Sequence, residues 1–150
     1  MTYHWNGYEL TDDRCRMDFE SVFEMLARTY WASDRPRELQ RCAFDHSVCF
    51  SVFSQGRQIG FARVISDFAT FAWVADVIIH PSHRGTGVGK WMVECILNHP
   101  SMATRSQWLA TQDAHTLYEK FGFVRFEAMR RGAPLPGEPL NDDPTPIPTP

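Results

Sequence analysis

Arg84-Gly85-Thr86-Gly87-Val88-Gly89-Lys90 brings three alternate glycines together with a guanidinium and an ammonium. Such a stretch can bind an anion. Glycine lets the backbone approach a phosphate with no Cβ in the way, and a helix that starts here adds unpaired N–H donors and the positive end of its dipole. Arg84 contributes a planar fork of donors and Lys90 a point charge. A Walker A loop needs glycine where Arg84 stands and Ser or Thr where Trp91 stands, so it does not fit. A dinucleotide fingerprint needs a third glycine at the place held by Lys90. What remains is Arg-x-x-Gly-x-Gly, read as Arg84, Gly87 and Gly89.

The flanking residues supply the elements that must hold this loop. Phe71 to Ile79 is rich in β-branched and aromatic side chains and stops at His80-Pro81, which predicts a strand. Val88, Trp91, Met92, Cys95 and Ile96 recur at helical spacing up to Asn98-His99-Pro100. Trp108 to Thr111 reads as a short strand. Asp113 to Phe123 reads as a helix capped at its start and closed by Gly122. The Arg84–Gly89 motif resembles the pyrophosphate-binding loop of the GNAT superfamily of N-acetyltransferases. The second block resembles the GNAT segment Leu-Tyr-x-x-x-Gly-Phe, here Leu117, Tyr118, Gly122 and Phe123.

The rest of the chain follows the same order. Tyr3 to Leu10 predicts a first strand, and Thr11-Asp12-Asp13 offers caps for a helix carrying Phe19, Val22, Phe23, Leu26 and Tyr30. Pro36 predicts the start of a short second helix running to about Phe44. Val48–Phe53 and Ile59–Ile65 flank Gln55-Gly56-Arg57 as an antiparallel hairpin, and Phe123 to Met129 reads as a final strand. The resemblance covers residues 3 to 130 and implies the GNAT fold, a mixed α/β architecture whose mostly antiparallel sheet is flanked by helices. It gives one domain over 1–131. A proline-rich tail follows over 132–150, with too few large apolar side chains to build a core and the character of an extended, mobile segment.

Composition sets limits. With 150 residues, 43% of them hydrophobic, the chain can enclose one substantial core but not two ordinary domains. A net charge of −3, spread without blocks, gives no footprint for nucleic acid or anionic lipid. No apolar run has the length to cross a bilayer. Cys15, Cys42, Cys49 and Cys95 lack Cys-x-x-Cys spacing and no signal peptide precedes them, so reduced thiols in the cytoplasm are expected. His80-x-x-His83 has no third ligand nearby in sequence, and no metal is expected.

The resemblance implies a chemistry and a place for it. Acetyl-CoA would be the cosubstrate, with a primary amine of a small molecule or peptide as acceptor. Its phosphates would lie on Arg84, Gly85, Thr86, Gly87, Val88, Gly89 and Lys90, and its pantetheine along the backbone of Val77 and Ile79. Tyr118 matches the tyrosine whose hydroxyl meets the leaving sulfur. Asp76, the one carboxylate in an apolar strand run, is either the base that deprotonates the amine, directly or through water, or a structural or charge-attracting acid. Tyr30, Trp31, Asp34 and Trp73 are expected near the acceptor, with Arg35 beside them. Asp113 is expected to cap its helix. A homodimer fits this plan as well as a monomer does, and a non-catalytic acyl-CoA sensor on the same fold is the alternative to an enzyme.

Overall fold

Two turns set the sheet's first registers. In the computed structural model, which describes residues 1–132, Asn6-Gly7 and Gln55-Gly56 take positive φ at both positions (47° and 79°; 49° and 75°). Those are the dihedrals of two-residue hairpin turns whose twist matches that of the strands they join. The first turn divides the single strand expected over Tyr3–Leu10 into β1 (Thr2–Trp5) and β2 (Tyr8–Thr11), paired antiparallel. The second joins β3 (Val48–Ser54) to β4 (Arg57–Ser66). With β5 (Phe71–Ile79) and β6 (Ser106–Trp108) these strands form one six-stranded sheet in chain order. Every neighbouring pair is antiparallel except β5 and β6, which are parallel.

Helices cover both faces. On one lie α1 (Phe19–Leu26) and α2 (Arg37–Asp45), where Val22, Leu26 and Phe44 pack on Phe61 and Ile78. On the other, α3 (Val88–Leu97) sets Val88, Met92 and Ile96 against Phe50, Val52, Val64 and Val74. The apolar periods in the sequence are therefore core-facing stripes. The cap of α1 is Asp18, whose carboxylate accepts from the N–H groups of Glu20 and Ser21, while the expected Asp13 caps only a single 3-10 turn through Cys15 N–H. A carboxylate directly before the first helical turn satisfies two otherwise orphaned donors.

Two features of β5 matter for function. Phe61 pairs with Ile78 and Arg63 with Ala75, so Asp76 and Val77 together oppose Ala62 alone. This is a β-bulge, with Asp76 at φ 53°. Beyond Trp73, β5 also has no partner on its β6 side, because the parallel ladder consists only of Phe71–Ser106, Ala72–Gln107 and Trp73–Trp108. The two strands part after three pairs.

Three expectations at the C-terminal end change. The strand foreseen over Trp108–Thr111 ends at Trp108. The helix foreseen over Asp113–Phe123 shortens to α4 (His115–Glu119), whose N-cap is Ala114 with no side-chain hydrogen bond, so Asp113 does not cap it. Residues 123–129 form no strand among the described residues, and Val124, Phe126 and Met129 are exposed. A three-residue β6 offers too short a ladder for a seventh strand to extend. The proline-rich segment beyond Gly132 lies outside the described residues.

Candidate active site

The glycine-rich segment is built as an anion cradle at the head of α3. Gly85 and Gly87 have φ of 77° and 92°, a region that costs any residue with a Cβ, and Gly87 is the N-cap of the helix. A Cβ on Gly87 would also lie 3.2 Å from Cη2 of Trp5, tighter than side chains normally pack. Val88, Gly89 and Lys90 form the first helical turn, where backbone N–H groups lack partners within the helix. Neighbours hold the loop from behind. Thr86 donates its hydroxyl to the carbonyl of His83 at 2.8 Å, and the Tyr8 hydroxyl stands 3.3 Å from His83 Nδ1 and 3.4 Å from Thr86 Oγ1. Arg84 donates Nε to the carbonyl of Ile79 at 3.0 Å, which ties the loop to the end of β5 and leaves the rest of its guanidinium exposed. His80 accepts from Ser82 N–H and so closes the turn before the loop.

Where β5 and β6 separate, a cavity of about 490 Å³ opens between the α1–α2 connection and α4. Tyr30, Trp31, Trp73, Asp76, Val77 and Tyr118 line it, so catalytic and acceptor candidates chosen from distant parts of the sequence meet there. The Tyr30 hydroxyl accepts from Gln112 N–H at 3.3 Å and links the two sides. Asp34 does not belong to this group. It is exposed, and its neighbour Arg35 lines the cavity instead.

Arg35 turns inward because Asp76 does. Arg35 holds the Asp76 carboxylate with two prongs, Nη1 to Oδ2 at 2.8 Å and Nη2 to Oδ1 at 3.2 Å, and Arg63 donates Nε to Oδ2 at 2.6 Å. Arg35 also reaches Gln40 Oε1 at 3.1 Å, and Arg63 reaches Ser47 Oγ at 3.2 Å. Burial alone would push the Asp76 carboxyl up, but hydrogen bonds and charge from the two guanidiniums outweigh it and hold the group below the ordinary carboxylate range. The network joins the bulge in β5, the neighbouring strand β4 and the α1–α2 connection. Arg63 was legible by the same sign that singled out Asp76, a lone charge in an apolar strand run. Arg130 also lines the cavity.

Tyr118 is buried on α4, and burial, with the charges of Asp113 and Tyr30 added, pushes its phenol up to about 12. It is therefore protonated throughout the neutral range and serves as a donor. Cys49 and Cys95 are buried, and their thiols are pushed up to about 11, so neither is a ready nucleophile. No group of three His, Cys, Asp or Glu side chains among the described residues is placed to hold a metal ion. No helix among them is long and apolar enough to cross a membrane.

Comparison with known proteins gives a consistent answer. A sequence model described as an acetyltransferase (GNAT) domain matches residues 45–125, from the end of α2 through β6 and α4. A protein of Gibberella zeae named as an acetyltransferase is 30% identical, over 82% of this chain and 84% of its own. A crystal structure from Xanthomonas campestris pv. campestris, described as an acetyltransferase belonging to the GNAT family, superposes with a TM-score of 0.82 at 39% identity, covering 89% of this chain and 97% of that one. A Staphylococcus aureus structure at 22% identity shares the fold alone, with a TM-score of 0.69 over 85% of this chain and 98% of its own. The splayed parallel pair, the glycine cradle at the head of α3 and the buried tyrosine on α4 thus sit in a chain that belongs to the GNAT family of acetyltransferases.

Proposed function

We propose that this protein transfers the acetyl group of acetyl-CoA to a primary amine by direct attack, with the reacting atoms in the cavity beside the β5 bulge. The observation that carries this reading is the separation of β5 from β6 immediately before the phosphate cradle, with Tyr118 on the wall of the gap. The exposed edge of β5 lets pantetheine lie as a surrogate strand against the backbone of Val77 and Ile79. The diphosphate then reaches the N–H groups of Gly85 to Lys90, with Arg84 and Lys90 supplying charge. Acetyl-CoA supplies the activated thioester, and the chain orients it and shields it from water.

The free amine attacks the thioester carbonyl, the C–S bond breaks, and the proton lost by the new ammonium balances the departing thiolate. A phenol at about 12 is a much weaker acid than a thiol near 8.5. Tyr118 therefore stabilises the developing thiolate as a hydrogen-bond donor rather than as a full proton source. Asp76, gripped by two guanidiniums, is a poor base. Its proposed role is to hold the bulge and the α1–α2 connection in register, with deprotonation of the amine left to water. A cytoplasmic setting is consistent with the free thiols of all four cysteines.

The test is an acceptor screen that detects free CoA thiol released from acetyl-CoA in the presence of amines and peptides. Turnover that depends on a particular amine supports the enzyme. Tight acetyl-CoA binding with no thiol release across the whole panel would replace it with an acyl-CoA sensor.

A further inference from the structure

The charges lining the cavity are unevenly placed. Two guanidiniums, Arg35 and Arg63, converge on the single carboxylate of Asp76, which leaves an excess of one positive charge at that end. Both Asp76 oxygens are engaged, so that carboxylate has little left to offer an incoming ammonium group. The guanidiniums are not exhausted. Each has five N–H donors, and the bonds described spend three from Arg35 and two from Arg63. Their side chains are 18% and 14% exposed, against 2% for Asp76, so the cationic partners rather than the anionic one face the open space. Asp113, whose charge acts on Tyr118, also lines the cavity, and Arg130 adds a further guanidinium to its lining. Tyr30, Trp31 and Trp73 supply an aromatic wall.

The acetyl-transfer reading places the reacting amine near Tyr118, and the present inference rests on it. A simple cationic amine would gain from Asp113 but meet uncompensated positive charge beyond. We infer that the acceptor is an amine carrying its own anionic group, a carboxylate or phosphate, on an aromatic or apolar body, with the ammonium end toward Asp113 and Tyr118 and the anion on Arg35 and Arg63. Planar guanidinium forks suit both anions, and the low-dielectric wall strengthens the pairing. Arg35 and Arg63 thus select the acceptor, while Asp76 holds them in place.

Matched amines differing only in the anion test this with the full chain, by thiol release at fixed acetyl-CoA. Suitable pairs are phenylalanine with phenethylamine, tyrosine with tyramine, and O-phosphoethanolamine with ethanolamine, the last separating phosphate from carboxylate. At least one anionic member should exceed its partner by about tenfold or more in kcat/KM, mainly through KM. Arg35→Gln keeps the Arg63–Asp76 pair but removes the excess charge, and should bring that ratio close to one, whereas Arg35→Lys should retain part of it. Thermal melts of both variants establish that they are folded. Equal or better turnover of the neutral-tailed amines overturns the inference, as does a preference that survives unchanged in folded Arg35→Gln. If no pair reacts while a broader panel of amines does, the acceptor class is wrong and acetyl transfer stands. If no amine releases thiol, both fail.

Discussion

Asp76→Asn removes one charge at a point where two guanidiniums converge, and the loss can be sized from the structure. Truncating one partner of a buried ion pair costs about 3–5 kcal/mol, because the remaining charge is left without compensation. Asp76 is 2% exposed, but Arg35 at 18% and Arg63 at 14% keep some hydration, and an Asn oxygen still accepts one bond. The low end, about 3 kcal/mol, is therefore expected. For a chain of this size, about 2–4 °C per kcal/mol gives a fall in Tm of about 6–12 °C. The sign of the pH dependence follows from the direction of the shift. The Asp76 carboxyl titrates below its ordinary value in the folded protein, so its contribution is complete above about pH 5 and disappears as pH falls through the folded value. Melts of wild type and variant should differ fully at pH 7 and draw together only as pH falls below the ordinary carboxylate range. Kinetics give an independent check. A group held that low cannot produce a limb near neutral pH, so any rise of kcat/KM with pH between 6 and 9 should remain in the Asn variant. A Tm within about 2 °C of wild type at pH 7 would rule out the structural role, and a neutral limb that vanishes in a folded variant would restore Asp76 as a base.

Other perturbations address the remaining parts. Tyr118→Phe should lower kcat by about 10²-fold while leaving acetyl-CoA affinity within a factor of two or so, since the hydroxyl acts on the leaving sulfur; stopped-time thiol assays and calorimetry separate the two effects. Gly60→Ala should destabilise the fold by about 1–3 kcal/mol, read by urea denaturation, because its Cβ would stand 2.6 Å from Ile79 Cδ1 and 3.2 Å from the Ile78 carbonyl oxygen. Mild alkylation of the native protein at pH 8 should label Cys15 and Cys42 and spare Cys49 and Cys95, with intact mass showing two added groups before any third appears.

The parts of the fold written in local sequence were the most legible. Strand Phe71–Ile79, the start of α3 and the α2 limit near Pro36 follow from composition, proline and apolar period, and the structure has them at nearly the expected places. Asn6-Gly7 was a readable turn signal, and with it the division of the first strand. The retreat at the C-terminal end was not readable, because an alternating segment such as 123–129 becomes a strand only if a neighbour offers a ladder, and β6 supplies three residues. At the site, residue types and spacing pointed to the glycine loop and Asp76, and the GNAT resemblance pointed to Tyr118. They could not show that Arg35 and Arg63 converge on Asp76, since those contacts span 41 and 13 residues and depend on the bulge. Asp34 and Arg35 are adjacent in sequence, and only the tertiary pull of a buried carboxylate selects the arginine.

Titration calorimetry of acetyl-CoA against wild type and Gly87→Val asks whether the Arg84–Lys90 cradle holds the phosphates of acetyl-CoA. Wild type should bind in the micromolar range, about −8 kcal/mol. In a valine variant that melts show to be folded, most of that affinity should be lost, because a branched side chain at φ 92° strains the cap and presses on Trp5, which displaces the backbone donors of the cradle. No measurable binding by wild type, or unchanged affinity in a folded Gly87→Val protein, would contradict phosphate binding at the cradle.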